Sequence, residues 1–328
     1  MRKFWQAAAG LILSALIIAP AAAKDSYPDR TVRILVPYGP GGATDIVARV
    51  VADAMGKSLG QSFIVENKPG AFGILALEEL ARSKPDGYTL MIGNVSTNCI
   101  TPMLYVKKMT FDYWTSIVPV TRLADLPAFL IATTKDFPPT TVKDFIAYAK
   151  ARPGQLKYAT VGVGSFPHYD MLNFERKAGL DMIAVPIKNG AGEAVTDMAK
   201  GEEEVAFLNV ATTAPLIKAG NLKPLAVVAD ARLKDYPTVP TMAEAGYAGI
   251  GTQQWQGLFV RAGTPKPVIE ALFKAAKSAL YSPQAEKVFA PQYIRAVPSK
   301  SPEEAATWLK GDTEAWRKTI AEANLKLE

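Results

Sequence analysis

The stretch Pro37-Tyr38-Gly39-Pro40-Gly41-Gly42-Ala43-Thr44-Asp45 joins three glycines to a polar run that can open a helix. Glycines let backbone N–H groups come close to a ligand. A helix opening at this point turns its unpaired N–H groups and the positive end of its dipole on the same space. Such a loop can hold a carboxylate without an arginine, with Tyr38, Gly41, Gly42 and Asp45 as the groups on hand. A simple turn with Asp45 as a helix cap uses the same residues. A nucleotide P-loop is excluded, because no Gly-Lys-Ser/Thr ending follows the glycines. Gly39-Pro40-Gly41-Gly42 also lacks the Gly-x-Gly-x-x-Gly spacing of a dinucleotide site.

Two more loops should share that edge. Asn67-Lys68-Pro69-Gly70-Ala71-Phe72-Gly73 offers Gly70, Ala71, Phe72 and Gly73, and Asn94-Val95-Ser96-Thr97-Asn98 offers Asn94, Ser96 and Thr97. The second half supplies a matching set. Gly162-Val163-Gly164-Ser165 precedes a helix with His168, Pro186-Ile187-Lys188-Asn189-Gly190 carries Lys188, and Asn209 ends a further strand. Two glycine-bearing edges facing one another across a cleft would enclose a small polar ligand.

Ser165 and His168 also raise nucleophilic catalysis. Ser-x-x-His across a helix start is not the Gly-x-Ser-x-Gly elbow, and a helix-terminal hydrogen-bond pair is the plainer reading. His168 is the only histidine and no His/Cys/carboxylate group has zinc spacing, so neither metal nor cofactor is expected. Cys99, the only cysteine, rules out an internal disulfide and reads as a small apolar packing residue.

The elements that must position these loops alternate. Thr31–Val36 is a short branched apolar run, as in a buried strand, and Thr44–Leu59 repeats Ile46, Val47, Val50, Val51, Ala54 and Met55 at helical spacing. Ser62–Glu66 reads as a strand, Gly73–Arg82 as a helix, and Tyr88–Gly93 as a third strand entered through Pro85-Asp86-Gly87. This β-α-β-α-β order predicts a parallel, doubly wound sheet, with ligands beyond the carboxyl ends of its strands. The alternation restarts after Pro127. Phe129–Ala132, Leu156–Val161, Asp181–Val185, Val205–Leu208 and Leu222–Val228 are strand candidates, and Thr141-x-x-Asp144 opens a helix to Ala151. Trp255–Val260 is another strand, and Pro265–Leu327 is mainly helical.

A chain of 328 residues, 49% hydrophobic, exceeds one typical core, so two lobes are expected. Arg2 and Lys3, the apolar stretch Ala7–Ile18 and Ala21-Ala22-Ala23 have the layout of a secretory signal peptide. The apolar stretch falls short of the ~20 residues that span a membrane, and no cysteine follows it to carry a lipid. Without Arg2 and Lys3 the balance is 35 basic against 31 acidic residues. That mild, dispersed excess suits anions and gives no nucleic-acid patch.

Several motifs together resemble one family, the substrate-binding receptors of tripartite tricarboxylate transporters, or Bug receptors. They begin with Tyr27-Pro28-x-Arg30, Ile34-Leu35-Val36-Pro37-Tyr38-Gly39-Pro40-Gly41-Gly42 with Asp45 and Arg49, and Gly60-Gln61. Val65-Glu66-Asn67-Lys68-Pro69-Gly70-Ala71, Pro85-Asp86-Gly87-Tyr88-Thr89-Leu90 and Gly162-x-Gly164-Ser165-x-x-His168 continue the match. Val239-Pro240-Thr241-x-x-Glu244-x-Gly246-Tyr247, Trp255-x-Gly257-Leu258 and Ala262-Gly263-Thr264-Pro265 complete it. The resemblance covers essentially the whole mature chain. It implies an α/β Venus-flytrap protein of the periplasmic binding type, with a mostly parallel sheet flanked by helices in each lobe. It further implies a carboxylated solute held at Gly41, Gly42, Asp45 and Gly70–Gly73, and delivery to a membrane permease of a large and a small subunit. The chain departs from the family's usual loops at Phe72, where glycine is common, and at Ile187-Lys188-Asn189-Gly190, where Tyr-Lys-Gly is common.

The expectation is therefore a secreted, monomeric, non-enzymatic receptor: 1–23 signal peptide, 24–124 plus 256–328 lobe one, and 125–255 lobe two. Citrate, C4 or C6 dicarboxylates, aromatic carboxylates and acidic amino acids all fit the residues. If the Phe72 ring lines the cleft, an aromatic dicarboxylate is favoured. A periplasmic enzyme on a carboxylated molecule is the alternative.

Overall fold

The computed structural model describes residues 27–323; the signal peptide expected over 1–23 lies outside them. Among the described residues eleven strands form two sheets. The first holds β1 (Val32–Val36), β2 (Phe63–Asn67), β3 (Thr89–Asn94), β4 (Ile117–Leu126), β10 (Gln254–Arg261) and β11 (Arg295–Ala296), in the order β11-β4-β10-β3-β1-β2. The second holds β5 (Ala128–Thr133), β6 (Lys157–Thr160), β7 (Ile183–Pro186), β8 (Val205–Asn209) and β9 (Leu222–Val228), in the order β7-β6-β8-β5-β9. This is a two-lobed α/β architecture, and the chain passes from one sheet to the other through Pro127 and again between β9 and β10.

The alternation seen in the sequence forms as expected on one side of each sheet: β1 pairs parallel with β2 and β3, and β6 with β7 and β8. The sheets are mixed, however, and the expectation of mostly parallel sheets is corrected. β10 lies antiparallel between β3 and β4, and β5 antiparallel between β8 and β9. These are the strands next to the two crossings, and a chain re-entering a sheet from the other lobe is not bound by the right-handed crossover that keeps βαβ strands parallel.

Each sheet carries helices on both faces. In lobe one, helix α1 (Ala43–Leu59) buries Val47, Val50, Val51 and Met55 against Ile34, Val36 and Leu258, with α7 (Lys266–Ala279) alongside. Helix α2 (Ile74–Arg82) and α9 (Pro302–Ala323) cover the opposite face through Leu77, Leu80, Leu309 and Trp316. In lobe two, α3 (Val142–Lys150), capped by Thr141 accepting from the Asp144 N–H at 3.0 Å, and α4 (Phe166–Ala178) cover one face. Helices α5 (Ala191–Lys200) and α6 (Val210–Lys218) cover the other. Helix α8 (Pro283–Phe289) packs Phe289 against α1. Cys99 is fully buried beside Asp312 and Thr313, and that burial pushes its thiol pKa well up. Among the described residues no helix is long and apolar enough to cross a membrane.

Candidate functional site

The chain leaves β1 at Val36 and enters α1 through a loop in which Gly41 takes φ 84° and Gly42 caps the helix without a side-chain bond. Asp45 explains the loop's shape. Its carboxylate accepts from the Gly41 N–H at 3.1 Å, from Arg49 Nε at 3.0 Å and from Asn67 Nδ2 at 2.9 Å. Asn67 Nδ2 also donates to the Tyr38 carbonyl at 2.9 Å. Burial pushes the Asp45 pKa up, but these donors outweigh it and hold the carboxyl below its ordinary range. Asp45 is thus an internal brace, with no lone pair directed at the cleft. The Tyr38 hydroxyl donates to Asn94 Oδ1 at 3.0 Å, and burial pushes its pKa up to about 12.

The second loop is a left-handed turn: Ala71, Phe72 and Gly73 have φ 46°, 58° and 87°. A non-glycine residue there costs about 1–2 kcal/mol. Phe72 is held by its surroundings. Its ring stacks on Tyr105 with centroids 4.6 Å apart and planes 11° from parallel, and Thr101 Oγ1 donates to its carbonyl at 2.9 Å. From the other lobe Gly162 approaches so closely that a Cβ there would sit 2.4 Å from Phe72 Cδ1. Phe72 does line the cleft, but Tyr105 covers one face of the ring.

The third segment, expected as a loop, is helical: Ser96–Ile100 forms a π-type turn that continues into Thr101–Leu104. Its polar side chains are buried and already engaged. Thr97 Oγ1 donates to Asn98 Oδ1 at 2.6 Å, and Ser96 Oγ accepts the Phe166 N–H at 3.1 Å.

Lobe two supplies the facing wall. Ser165 Oγ donates to the Gly162 carbonyl at 2.7 Å and contacts Thr160 Oγ1 at 3.0 Å. His168 Nδ1 accepts the Gly164 N–H at 2.9 Å, and burial pushes its pKa down to about 4. The pair fixes the glycine loop that precedes α4, and the serine and histidine are not hydrogen-bonded to one another. Lys188 is exposed at the rim. Asn209 caps α6 by position only, making no side-chain cap bond, and its Oδ1 is buried without a partner.

The two walls touch. Gly39 N–H donates to the Asn189 carbonyl at 2.8 Å, Ala43 N–H to Thr212 Oγ1 at 3.1 Å and Tyr105 OH to the Val163 carbonyl at 2.8 Å. They enclose two adjoining cavities that share Tyr38 and Val161. One, about 220 Å³, is lined by Pro37, Tyr38, Gly70, Ala71, Phe72, Gly73, Val161, Gly162, Pro186, Ile187 and Lys188. The other, about 20 Å³, is lined by Tyr38, Gly42, Ala43, Thr44, Asn94, Val161, Phe166, Ala191 and Asn209. A hollow of about 660 Å³ on lobe one around Arg33, Lys68 and Glu79 is larger but open, and there both Arg33 and Lys68 pair with Glu79.

Nine of the expected residues therefore meet at the cavities: Tyr38, Gly42, Gly70, Ala71, Phe72, Gly73, Asn94, Lys188 and Asn209. Gly41, Asp45, Ser96, Thr97, Ser165 and His168 do not line them and stand behind the walls. Ala43, Thr44, Val161, Phe166 and Ala191 line the small cavity without having been singled out. Three of these (Ala43, Phe166 and Ala191) open helices after strands, the signal that could have found them. The small cavity is ringed by the first residues of α1, α4 and α5 and by Asn209 before α6. Four positive helix ends meet there, and among the described residues no acidic side chain lines either cavity.

The comparisons with known proteins bear on family and fold. The family model for the tripartite tricarboxylate transporter family receptor matches residues 47–325. The solved periplasmic binding protein BugD is 29% identical, with a TM-score of 0.85 over 92% of this chain and 100% of that one. An R. palustris protein solved with adipate is 31% identical, with a TM-score of 0.85 over 90% and 98%. MatC from Rhodopseudomonas palustris, solved with bound malate, is 30% identical, with a TM-score of 0.82 over 90% and 100%. The chain belongs to the receptor family of the tripartite tricarboxylate transporters.

Proposed function

We propose that this protein is a periplasmic receptor that captures a small organic carboxylate in the cleft between its lobes and delivers it to a permease of one large and one small subunit. The observation that carries the reading is the meeting of four helix N-termini on cavities free of acidic side chains. Such a site stabilises an anion through backbone dipoles. Tyr38, Gly42, Gly70–Gly73, Asn94, Lys188 and Asn209 form the contact surface, and Gly41, Asp45, Ser96, Thr97, Ser165 and His168 shape it from behind. The solved relatives hold adipate and malate, both carboxylates. Lobe one comprises 24–126 and 254–328 and lobe two 127–253, two residues from the expected limits of 24–124, 125–255 and 256–328 at each crossing because β4 runs to Leu126 and β10 begins at Gln254, and residues 1–23 are the export signal. The receptor works as a monomer, without cofactor and without turning its ligand over. Ser165 and His168, each bonded to the glycine loop, leave the enzyme reading without a nucleophile–base pair. Tyr105 closes one face of Phe72 to a stacked ligand, so an aromatic dicarboxylate has only the other face to stack on.

A thermal-shift screen of organic acids tests the proposal. A specific ligand at a hundredfold excess over its Kd should stabilise the protein by about 2.7 kcal/mol. Recovery of that compound unchanged supports a receptor. Its conversion, or silence from every carboxylate, overturns the reading.

A further inference from the structure

One side chain at the cleft has chemistry that a carboxylate alone does not complete. Asn209 is 5% exposed, lines the small cavity, makes no side-chain cap bond, and holds Oδ1 buried without a partner. The other amide on that wall, Asn94, is engaged: its Oδ1 accepts from Tyr38 and from the Thr97 N–H, and its Nδ2 faces Thr44 Oγ1 at 3.4 Å. An unpaired polar atom in a buried position is costly, and native proteins leave few of them. An amide has one accepting and one donating end. Its donor suits a carboxylate oxygen, and its acceptor requires an O–H or N–H from the same occupant.

The lining of the space fixes where that donor sits on the ligand. The small cavity, about 20 Å³, adjoins the larger one through Tyr38 and Val161. The helix end at Ala191, which suits the carboxylate, lines the small cavity together with Asn209. A group that reaches Asn209 from a carboxylate held there is attached to the adjacent carbon. Electrostatics then separates a hydroxyl from an ammonium. No acidic side chain lines either cavity, the nearby helix ends are positive, and Asp45 is already neutralised by Arg49 at 2.9 Å. An ammonium would be buried against positive dipole ends with no counter-charge.

We propose that Asn209 is the specificity-determining residue of this receptor and that it selects 2-hydroxycarboxylates over their deoxy and amino counterparts. This rests on the carboxylate-receptor reading above and narrows its ligand class.

The test is calorimetric titration of the mature chain with matched probes: malate, succinate and aspartate, then citrate and tricarballylate. At least one hydroxy acid should bind ten or more times more tightly than its deoxy partner, with aspartate weaker than malate. In Asn209→Leu and Asn209→Ala the hydroxy-to-deoxy ratio should fall to about two or less, the hydroxy acids losing more affinity than the deoxy acids. A wild-type ratio below about three overturns the proposal even if neither variant folds. So does a ratio that survives both substitutions, the result expected if a water alone satisfies Asn209. In either case binding of any diacid leaves the carboxylate-receptor reading intact. Failure of every probe, together with every other carboxylate, sinks both.

Discussion

Gly192 meets Pro40 across the cleft: a Cβ on Gly192 would lie 2.4 Å from the Pro40 carbonyl oxygen and 3.3 Å from the Gly42 nitrogen. Gly192 is the second residue of α5, and Pro40 and Gly42 lead into α1. The contact is therefore between two helix entrances from different lobes, and only a hydrogen fits between them.

This closeness separates affinity from stability. Alanine is favoured over glycine in a helix by about 1 kcal/mol, so Gly192→Ala should leave the unliganded protein as stable as wild type or more so. The added methyl should hold the lobes apart and weaken carboxylate binding at least tenfold. Parallel melting and titration of the variant check this, and wild-type affinity would show that the lobes need not close so tightly.

Asp45 should act on the ligand without touching it. Asp45→Ala frees the Gly41 N–H, Arg49 and Asn67 at once and should cost about 1–3 kcal/mol of stability. Because the loop then loses its shape, carboxylate affinity should fall at least tenfold. The carboxyl is held below its ordinary pKa, so its contribution is present above the unfolded value of 3.8 and lost as pH falls through the lower folded one. Binding by the wild type should accordingly persist on acidification to about pH 4, which titrations at successive pH values read directly.

Asp170 has the opposite sign. It accepts from the Thr252 N–H at 2.8 Å and from its Oγ1 at 2.6 Å, and burial, partly offset by these bonds, pushes its pKa from 3.8 up to about 7. The folded state holds this proton more tightly than the unfolded state, so stability falls as pH rises from about 4 to about 7. Asp170→Asn removes that charge, and its urea midpoint should change less between pH 4 and 7 than that of the wild type. Part of the slope should remain, because burial also raises Glu175 and Glu203 to about 7.

Phe72→Gly should relieve about 1–2 kcal/mol of left-handed strain and lose the Tyr105 stack together with the contact to Gly162. Glycine's own entropy offsets part of the relief, so melting should shift little. Ligand affinity should fall several-fold because the larger cavity loses a wall. A large drop in melting temperature with affinity preserved would instead make Phe72 a folding residue.

The β1-α1-β2-α2-β3 run was legible because each strand is short, apolar and buried, while each helix repeats its apolar residues at its own period. β4 was not. Ile117–Leu126 carries Pro119, Thr121, Arg122 and Asp125 on a strand flanked by β10 and β11. Two of them find partners far away in sequence: Arg295 reaches Asp125 at 2.9 Å, and the Ser299 N–H donates to Thr121 Oγ1 at 3.1 Å. Strand direction was hidden for the same reason, since it depends on crossings between lobes. At the site, the glycine loops announced themselves. Ser96, Thr97, Ser165 and His168 have the right chemistry in the right loops but bond to backbone or side chains within a few residues or across the seam. Serines and threonines near element ends commonly do so, and the sequence alone does not reveal which way they turn.

The burial of Cys99 has a practical side. A thiol with no exposed surface, packed beside Asp312 and Thr313 and with its pKa pushed up, is a poor target for alkylating reagents. Lys188→Cys at the cleft rim would then be the sole reactive thiol in an otherwise unaltered chain. A fluorophore attached there would sit where the two lobes meet, and its emission would convert ligand capture into an optical signal.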